Sequence, residues 1–404
     1  MRLGIDRILV EPDLKKTLRK RRLAVVGHPA SVTTSVLHSL DAICQDPDFN
    51  VTAAFGPQHG MRGEKQENMI ESDTYQDPFR KIPVFSLYGE LRKPSAEMLS
   101  HCDVVLFDLQ DIGCRIYTYL TTLLYIMEAC AENGKELWVL DRPNPAGRPI
   151  EGNLLLEEWK TFVGATAVPM RHGLTLGELA NWMKHHHKIN VEMRVIAMEG
   201  YDPTRGRGWG WPEENLSWVN PSPNIPTLTS TRTFAGTVLL EGTNISEARG
   251  TTRPLEMLGA PNMNAEAIWK EMQRFEPRWL VGCGVRPCYF EPMFHKFAGQ
   301  LCSGFQIHAD GSEYNHESFK PFRWIHAFFK ALNKVHPGML VWKQPPYEYE
   351  NIRLPVDILN GSDQPRLWVD DPRSTAGDLE SVLSRDEKYF REARKPFLLY
   401  PDDK

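Results

Sequence analysis

Short apolar runs alternate with helix-length segments of mixed polarity through residues 22–149. The runs have the length and the β-branched or aromatic content of buried strands. They lie at residues 22–27, 51–55, 83–87, 104–108 and 137–141. Between the last two, apolar side chains from Leu120 to Cys130 recur at helical spacing and predict a helix over residues 117–132. Because parallel strands need such crossovers, we predict an α/β fold, a Rossmann-like domain on a largely parallel sheet with helices on both faces.

The pattern changes in the second half of the chain, where strands and helices no longer alternate. Its predicted elements are helices at residues 265–275, 317–332 and 380–394 and strands at residues 285–290 and 304–308. Residues 221–226 read PSPNIP, which cannot be helical and marks a junction. We therefore predict a Rossmann-like N-terminal catalytic domain, residues 1–229, and a smaller α+β C-terminal domain, residues 230–404, that closes a cleft.

Composition excludes several classes of function. A formal net charge of −5 over 404 residues offers no overall basic surface for nucleic acid. No run of about 18 apolar residues occurs, so we expect no membrane span, and the first residues lack the apolar core of a signal peptide. The seven cysteines are scattered without a CxxC pair, which favours free thiols over disulfides or a metal site. We expect a cytoplasmic protein; its oligomeric state is open.

Nucleotide cofactors are not indicated. No GxGxxG follows a predicted strand, and the sequence holds neither a GxxxxGK[ST] phosphate loop nor a GxSxG nucleophile elbow. The first predicted strand ends instead in VGHPAS, with one glycine and a proline. We therefore predict no cofactor and no metal, and an enzyme acting on nucleotides or phosphosugars is the weakest alternative.

Polar side chains gather at the carboxyl ends of three predicted strands, the edge at which α/β sheets bind ligands. Their convergence predicts one shared binding cleft, and separate structural turns are the alternative. The residues are Gln58, His59, Arg62 and Glu64 after the second strand, Asp108, Gln110 and Asp111 after the fourth, and Asp141, Arg142 and Asn144 after the fifth.

A second polar group lies in residues 218–256. The apolar run 237–240 predicts a buried strand, Gly242 would let a ligand or another chain segment approach closely, and Pro254 predicts the first turn of a helix. The polar candidates after this run are Glu241, Asn244, Arg249 and Arg253. Burial at a strand end would suit Glu241 as a general acid, whereas a structural ion pair with one of the two arginines is the alternative.

Two further candidates stand in other loops. His172 precedes a predicted helix that Thr175 and Glu178 would begin as a capping box, and a structural hydrogen bond is the alternative role for this histidine. Trp209 lies in the loop GRGWGW, where its indole would stack on the face of a sugar; packing within the loop is the alternative.

Several long motifs follow one another along most of the chain. They are FGPQHGMRG (55–63), IPVFSLYG (82–89), VVLFDLQDIGCRIYTY (104–119), VLDRPNPAG (139–147), PMRHGLTLGELA (169–180), WVNPSPNIPTL (218–228), LLEGTNISEARGTTRPLEMLGAP (239–261) and FHKFAGQLCSGFQIH (294–308). Together they resemble the exo-β-N-acetylmuramidase family of glycoside hydrolases. The resemblance implies removal of terminal N-acetylmuramic acid from the non-reducing end of peptidoglycan fragments during cell-wall recycling, with a sugar or muropeptide as substrate.

The resemblance also implies roles for the polar candidates. Glycoside hydrolysis ordinarily uses two carboxyl groups across the scissile bond. The catalytic candidates are Glu241, Glu64 and Asp111. The substrate-binding candidates are Gln58, His59, Arg62, Asn144, His172, Asn244, Arg249, Arg253 and Trp209, of which Arg62, Arg249 and Arg253 suit the lactyl carboxylate of the sugar.

One position departs from the family pattern. The family usually has Glu before the histidine of the second strand end, whereas this chain has Gln58 before His59. A glutamine cannot exchange a proton, so Gln58 cannot act as a catalytic acid or base. Either Glu64, an aspartate or the acetamide of the substrate fills that role, or the chain is a catalytically impaired protein that binds sugars or muropeptides.

Overall fold

The structure is a computed structural model that describes residues 1–63, 65, 70–204 and 210–402. Its strands are β1 (Arg22–Val26), β2 (Asn50–Gly56), β3 (Tyr75–Gln76), β4 (Pro83–Ser86), β5 (Val104–Phe107), β6 (Glu136–Leu140), β7 (Glu151–Leu154), β8 (Pro169–Arg171), β9 (Met193–Ile196), β10 (Met257–Ala260), β11 (Gly284–Phe290) and β12 (Cys302–His308). Its α-helices are α1 (Gly4–Val10), α2 (Pro12–Leu18), α3 (Ser39–Gln45), α4 (Ala96–Ser100), α5 (Tyr119–Glu132), α6 (Leu176–His186), α7 (Leu228–Thr237), α8 (Ala265–Phe275), α9 (Pro321–Val335), α10 (Pro355–Asn360), α11 (Gln364–Asp370) and α12 (Ala376–Arg394). None of the helices in these ranges is long and apolar enough to cross a bilayer.

The largest sheet has seven strands in the order β3-β4-β2-β1-β5-β6-β9. Every neighbouring pair is parallel except β3 with β4. All five strands predicted from the apolar runs lie in this sheet, and the α/β prediction is confirmed. The carboxyl ends of β1, β2, β5 and β6 therefore lie along the same edge of the sheet.

Both faces of the sheet are buried, which explains why its strands are continuous apolar runs. On one face Ala24, Phe55 and Phe107 pack under α5 and α6. On the other face Val25 and Trp138 pack under α1 and α3. The first of these clusters continues without a break into the side chains of the C-terminal half, so the two halves share apolar packing.

The C-terminal half is built on an antiparallel sheet in the order β10-β12-β11. Helix α9 packs against α7 and α8 beside this sheet. A separate hairpin of β7 and β8 belongs to the N-terminal half, and α12 returns along the chain to pack against it. The α+β character expected for this half is present.

The predicted start of helix α6 is confirmed, whereas one predicted strand is part of a helix. Thr175 caps α6, with Glu178 completing the predicted capping box. By contrast, the strand predicted at 237–240 is wrong. Helix α7, begun by a capping box at Thr227, continues into a 3₁₀ helix, Val238–Gly242, in which the apolar run is buried.

The helix predicted from Pro254 is also wrong, since turns lead from there directly into β10. The carbonyl oxygen of Leu255 in these turns accepts hydrogen bonds from the hydroxyls of Thr233 and Thr237 on α7, at 2.8 and 2.9 Å, which hold the turns against that helix.

Candidate functional site

A cavity of about 450 Å³, including its open mouth, lies where the loop after β2, the start of α5 and the C-terminal half meet. Its polar lining comes from Gln58, His59, Tyr117, Thr118, Ser222, Glu241, Arg249, Tyr347 and Glu348. A second lobe adjoins it and shares Glu241, Arg249 and Tyr347. His295 and Lys343 line the second lobe only. The two lobes together form one continuous candidate site.

The turn that ends β2 supplies His59. Gly56 is required there because a Cβ would meet the backbone nitrogen of Met61 at 2.6 Å. His59 Nδ1 lies 2.9 Å from the carbonyl oxygen of Lys65 and so donates to it. Burial lowers the pKa of His59 to about 4, which keeps the ring neutral at pH 7. Its Nε2 is therefore an acceptor, suited to a sugar hydroxyl rather than to an anion.

Gln58 is fixed in the same turn by its neighbours. Its Oε1 accepts the hydroxyl of Thr118 at 2.8 Å, which leaves the amide nitrogen to point away from that contact. The nitrogen lies 3.4 Å from Oε1 of Glu348. The glutamine thus holds a carboxyl group that comes from far along the chain.

Glu241 ends the apolar run of the 3₁₀ helix and enters the cavity at the junction of its two lobes. Its Oε1 accepts Nη2 of Arg249 at 2.5 Å, and its Oε2 accepts the phenol of Tyr347 at 2.7 Å. From the sequence, an ion pair with an arginine was the alternative to a general-acid role for Glu241, and the structure contains this ion pair. Two strong donors orient the carboxylate without removing it from the cavity lining.

Glu247 anchors this arrangement from behind. It is fully buried, and its Oε2 accepts Nζ of Lys296 at 2.8 Å while its Oε1 lies 3.2 Å from Nε of Arg249. Burial raises the pKa of Glu247, but the charges of Lys296 and Arg249 outweigh burial and lower it to about 2. Arg249 is thus held between two carboxylates, one of which lines the cavity.

Glu348 is a cavity residue that the sequence did not single out. It is buried, and its Oε2 accepts the phenol of Tyr88 at 2.9 Å. Burial raises the pKa of Glu348 to about 7, and the charge of Glu241 acts in the same direction. The surrounding YEYE run, residues 347–350, carries no spacing that marks a site, so no sequence signal could have found it.

Four of the predicted site residues line this cavity: Gln58, His59, Glu241 and Arg249. The structure does not bring the other arginines to its lining. Arg62 pairs with Asp41 at 2.9 Å, and Arg253 lies 3.2 Å from Glu256 with nearly half of its side chain exposed.

The predicted amides and the Asp111–His172 pair also lie off the cavity lining. Asn144 donates to the carbonyl oxygens of Gly147 and Leu174, and Asn244 bridges the backbone at 339–341. Asp111 Oδ2 accepts the backbone nitrogen of Gly113 at 2.6 Å and lies 3.6 Å from Nε2 of His172. Glu64 and Trp209 fall outside the described residues.

Two acids at the strand ends are tied into internal networks. Asp108 forms a buried ion pair with Arg142 at 2.6 Å. Asp141 accepts the hydroxyls of Thr175 and Tyr400, each at 2.7 Å. Across residues 1–63, 65, 70–204 and 210–402, no group of three or more His, Cys, Asp and Glu side chains is arranged to hold a metal ion.

Comparison with known proteins matches this chain to one family over nearly its whole length. The family models described as exo-β-N-acetylmuramidase NamZ, N-terminal and C-terminal, match residues 23–229 and 232–400. The chain is 36% identical over 401 residues to the peptidoglycan β-N-acetylmuramidase NamZ of Bacillus subtilis (strain 168), covering 98% of this chain and 91% of that protein.

Two crystal structures of DUF1343 family proteins from Bacteroides fragilis NCTC 9343 have the same fold. One superposes with a TM-score of 0.85 at 27% identity, covering 99% of both chains. The other superposes with a TM-score of 0.74 at 25% identity, covering 100% of this chain and 99% of that one.

Proposed function

This chain belongs to the NamZ family of exo-β-N-acetylmuramidases and is a glycosidase, and from that premise we propose that it removes terminal N-acetylmuramic acid from the non-reducing end of peptidoglycan fragments. The physiological setting we propose is the recycling of cell-wall fragments. The substrate is a sugar or muropeptide small enough to present one chain end to the cavity.

The observation that carries this proposal is the presence of two carboxyl groups in the lining of one cavity. Glu241 and Glu348 both line it, and their surroundings differ. A guanidinium and a phenol hold Glu241, which suits a carboxylate that acts on the anomeric carbon or on a water. We assign that role to Glu241 in place of the general-acid role expected from the sequence, because Arg249 and Tyr347 donate to its two oxygens. Glu64 and Asp111 stay the alternative catalytic carboxyl groups.

The charge around the second lobe supports a substrate that carries a carboxylate. Three cations, Arg249, Lys296 and Lys343, stand against two carboxylates, Glu241 and Glu247. Among the described residues, the ion pairs around the second lobe join Glu241 and Glu247 to Arg249, His295 and Lys296. None of these pairs includes the ammonium of Lys343. We propose that Lys343, together with Arg249 in the lining of the same lobe, receives the lactyl carboxylate that distinguishes N-acetylmuramic acid from N-acetylglucosamine.

The proposal is tested with 4-nitrophenyl β-glycosides of N-acetylmuramic acid and N-acetylglucosamine. We expect release of 4-nitrophenol from the muraminide and not from the glucosaminide. If neither is cleaved while calorimetry detects binding of N-acetylmuramic acid, the protein is the sugar-binding alternative that Gln58 suggests.

A lysine variant tests recognition of the carboxylate. Lys343→Met removes the charge, and loss of a charged hydrogen bond predicts roughly 10- to 100-fold weaker inhibition by free N-acetylmuramic acid. Inhibition by free N-acetylglucosamine should stay unchanged. Lys270→Met, on the exposed face of α8, is the matched control. Equal weakening for both sugars would contradict a role in recognising the lactyl group.

A further inference from the structure

The buried carboxyl group of Glu348 has a chemical role beyond lining the cavity. We propose that Glu348 is the proton donor of this site, giving its proton to the leaving oxygen of the substrate, and that Gln58 is the residue that positions it. This inference rests on the proposed function, because it names the group that completes the glycosidase reaction.

The two oxygens of Glu348 have unequal partners. Oε2 accepts the phenol of Tyr88 at 2.9 Å, a normal hydrogen bond, whereas Oε1 has the longer contact of 3.4 Å with the Gln58 amide. The more weakly engaged Oε1 is the oxygen on which a transferable proton would sit. Thr118 fixes the amide that faces it, so a neutral group holds this oxygen in place.

The backbone at Glu348 is unusual for its sequence. Glu348 and Tyr349 have φ of 44° and 69°, and Tyr347 and Glu350 exchange backbone hydrogen bonds across them. Two successive positive φ angles between such residues are the arrangement of a type I′ turn, which Asn and Gly prefer. A glutamate in this conformation strains the backbone, and such strain concentrates at functional sites. The turn places this carboxyl group in the cavity although glutamate disfavours the backbone conformation of the turn.

The charges around the turn suit a proton donor. Burial and the charge of Glu241 raise the pKa of Glu348 to about 7. Hydrogen bonds from Tyr88 and Gln58 and the charge of Arg92 act against this rise, and the phenols of Tyr347 and Tyr349 also interact with this carboxyl group. The carboxyl group is thus largely protonated below neutral pH and can also give its proton up.

The proposed step is balanced. As the bond between the anomeric carbon and the leaving oxygen breaks, its electron pair goes to that oxygen, which takes the proton from Glu348. Glu241 acts at the anomeric carbon or on the attacking water. If Glu241 has bonded to the anomeric carbon, the Glu348 carboxylate takes a proton from the water that then replaces Glu241 there. If Glu241 instead takes the proton of the attacking water, that proton passes through the solvent to Glu348. In either case hydrolysis consumes one water and needs no other reactant.

The test compares two leaving groups in the intact 404-residue chain. Glu348→Gln should lower turnover of the disaccharide N-acetylmuramyl-β-1,4-N-acetylglucosamine by roughly 10²- to 10⁴-fold, because its leaving alkoxide needs a proton. Turnover of 4-nitrophenyl N-acetylmuraminide should fall by about 10-fold or less, because 4-nitrophenolate leaves without one. Glu350→Gln, in the same turn but paired with Arg353, is the matched control and should lose little on either substrate.

Two variants that keep Glu348 test its titration. Tyr88→Phe removes a hydrogen bond that lowers the pKa of Glu348, so the alkaline limb of kcat/KM should move to higher pH. Gln58→Glu places a second carboxyl beside the first, and a shared proton should move the limb upward by about one pH unit or more.

The outcomes separate this inference from the proposed function. Unequal losses for the two leaving groups, with shifted limbs in both companion variants, support the role of Glu348. Equal losses on both substrates, or alkaline limbs that stay fixed in both companion variants, overturn it while leaving the muramidase activity established. A wild-type protein that cleaves neither substrate overturns the proposed function and this role with it.

Discussion

The Glu247 carboxylate should be a major source of stability for the candidate site. Its folded-state pKa of about 2 lies below the ordinary value of 4.5 because Lys296 and Arg249 favour its charged form. At about 1.4 kcal/mol for each pKa unit, the difference corresponds to about 3 kcal/mol at neutral pH. Glu247→Gln removes this charge and leaves two buried cations poorly compensated. We expect the free energy of unfolding to fall by about 3 kcal/mol at pH 7.

The pH dependence of this cost has a definite sign. A carboxyl group with a depressed folded pKa stabilises the protein above its unfolded pKa, and this contribution is lost as pH falls through the window from 4.5 towards 2. The difference between the wild type and Glu247→Gln should therefore be about 1 kcal/mol smaller at pH 4 than at pH 7.

The measurement is urea unfolding followed by tryptophan fluorescence at both pH values. Glu266→Gln, an exposed change on α8, is the control and should leave the unfolding midpoint unchanged. A cost below about 1 kcal/mol at pH 7, or a cost that grows as pH falls, would show that the cluster around Arg249 is not held by this charge.

Three further substitutions change Glu241 or residues next to it in the sequence or in space. Glu241→Gln keeps the size of the side chain, so turnover of the muraminide should fall roughly 10²- to 10⁴-fold with little change in the urea midpoint; unchanged turnover would refute its catalytic role. Tyr347→Phe removes one donor to Glu241 and should lower kcat roughly 10- to 100-fold in the same assay. Gly242→Ala would place a Cβ 2.6 Å from the backbone nitrogen of Val356, so the urea midpoint should fall as α10 is displaced; an unchanged midpoint would mean that the contact relaxes freely.

Five of the seven strands of the large sheet could be predicted because each is a local signal, whereas β3 and β9 were missed. Strands buried on both faces are uninterrupted apolar runs, and the helices between them have their own periodicity. The strand predicted for the run at 237–240 was wrong because that run is also a local apolar signal, but it belongs to a helix. A short apolar run cannot distinguish a buried strand from the last turn of a buried helix, and here the capping box at Thr227 had already begun a helix.

The site was harder to predict because its contacts join distant parts of the chain. Gln58 and Glu348 are 290 residues apart, and nothing local to either one marks the contact. Asp141 at another strand end likewise has a remote partner in Tyr400, 259 residues away. Polarity at a strand end therefore predicts that a group is used, but not whether it holds a ligand or the protein itself.

On our proposal, a glutamine can stand at position 58 without removing the proton donor that hydrolysis needs. The described loops of the N-terminal half contribute neutral hydrogen-bonding groups to the polar lining, among them Gln58 and His59, whose ring burial keeps neutral. The C-terminal half contributes the charged ones, Glu241 and Arg249, together with Glu348. On our proposal the turn after β2 positions a carboxyl group instead of providing one. A second carboxyl at position 58 would compete with Glu348 for one proton, so the glutamine is what lets Glu348 titrate alone.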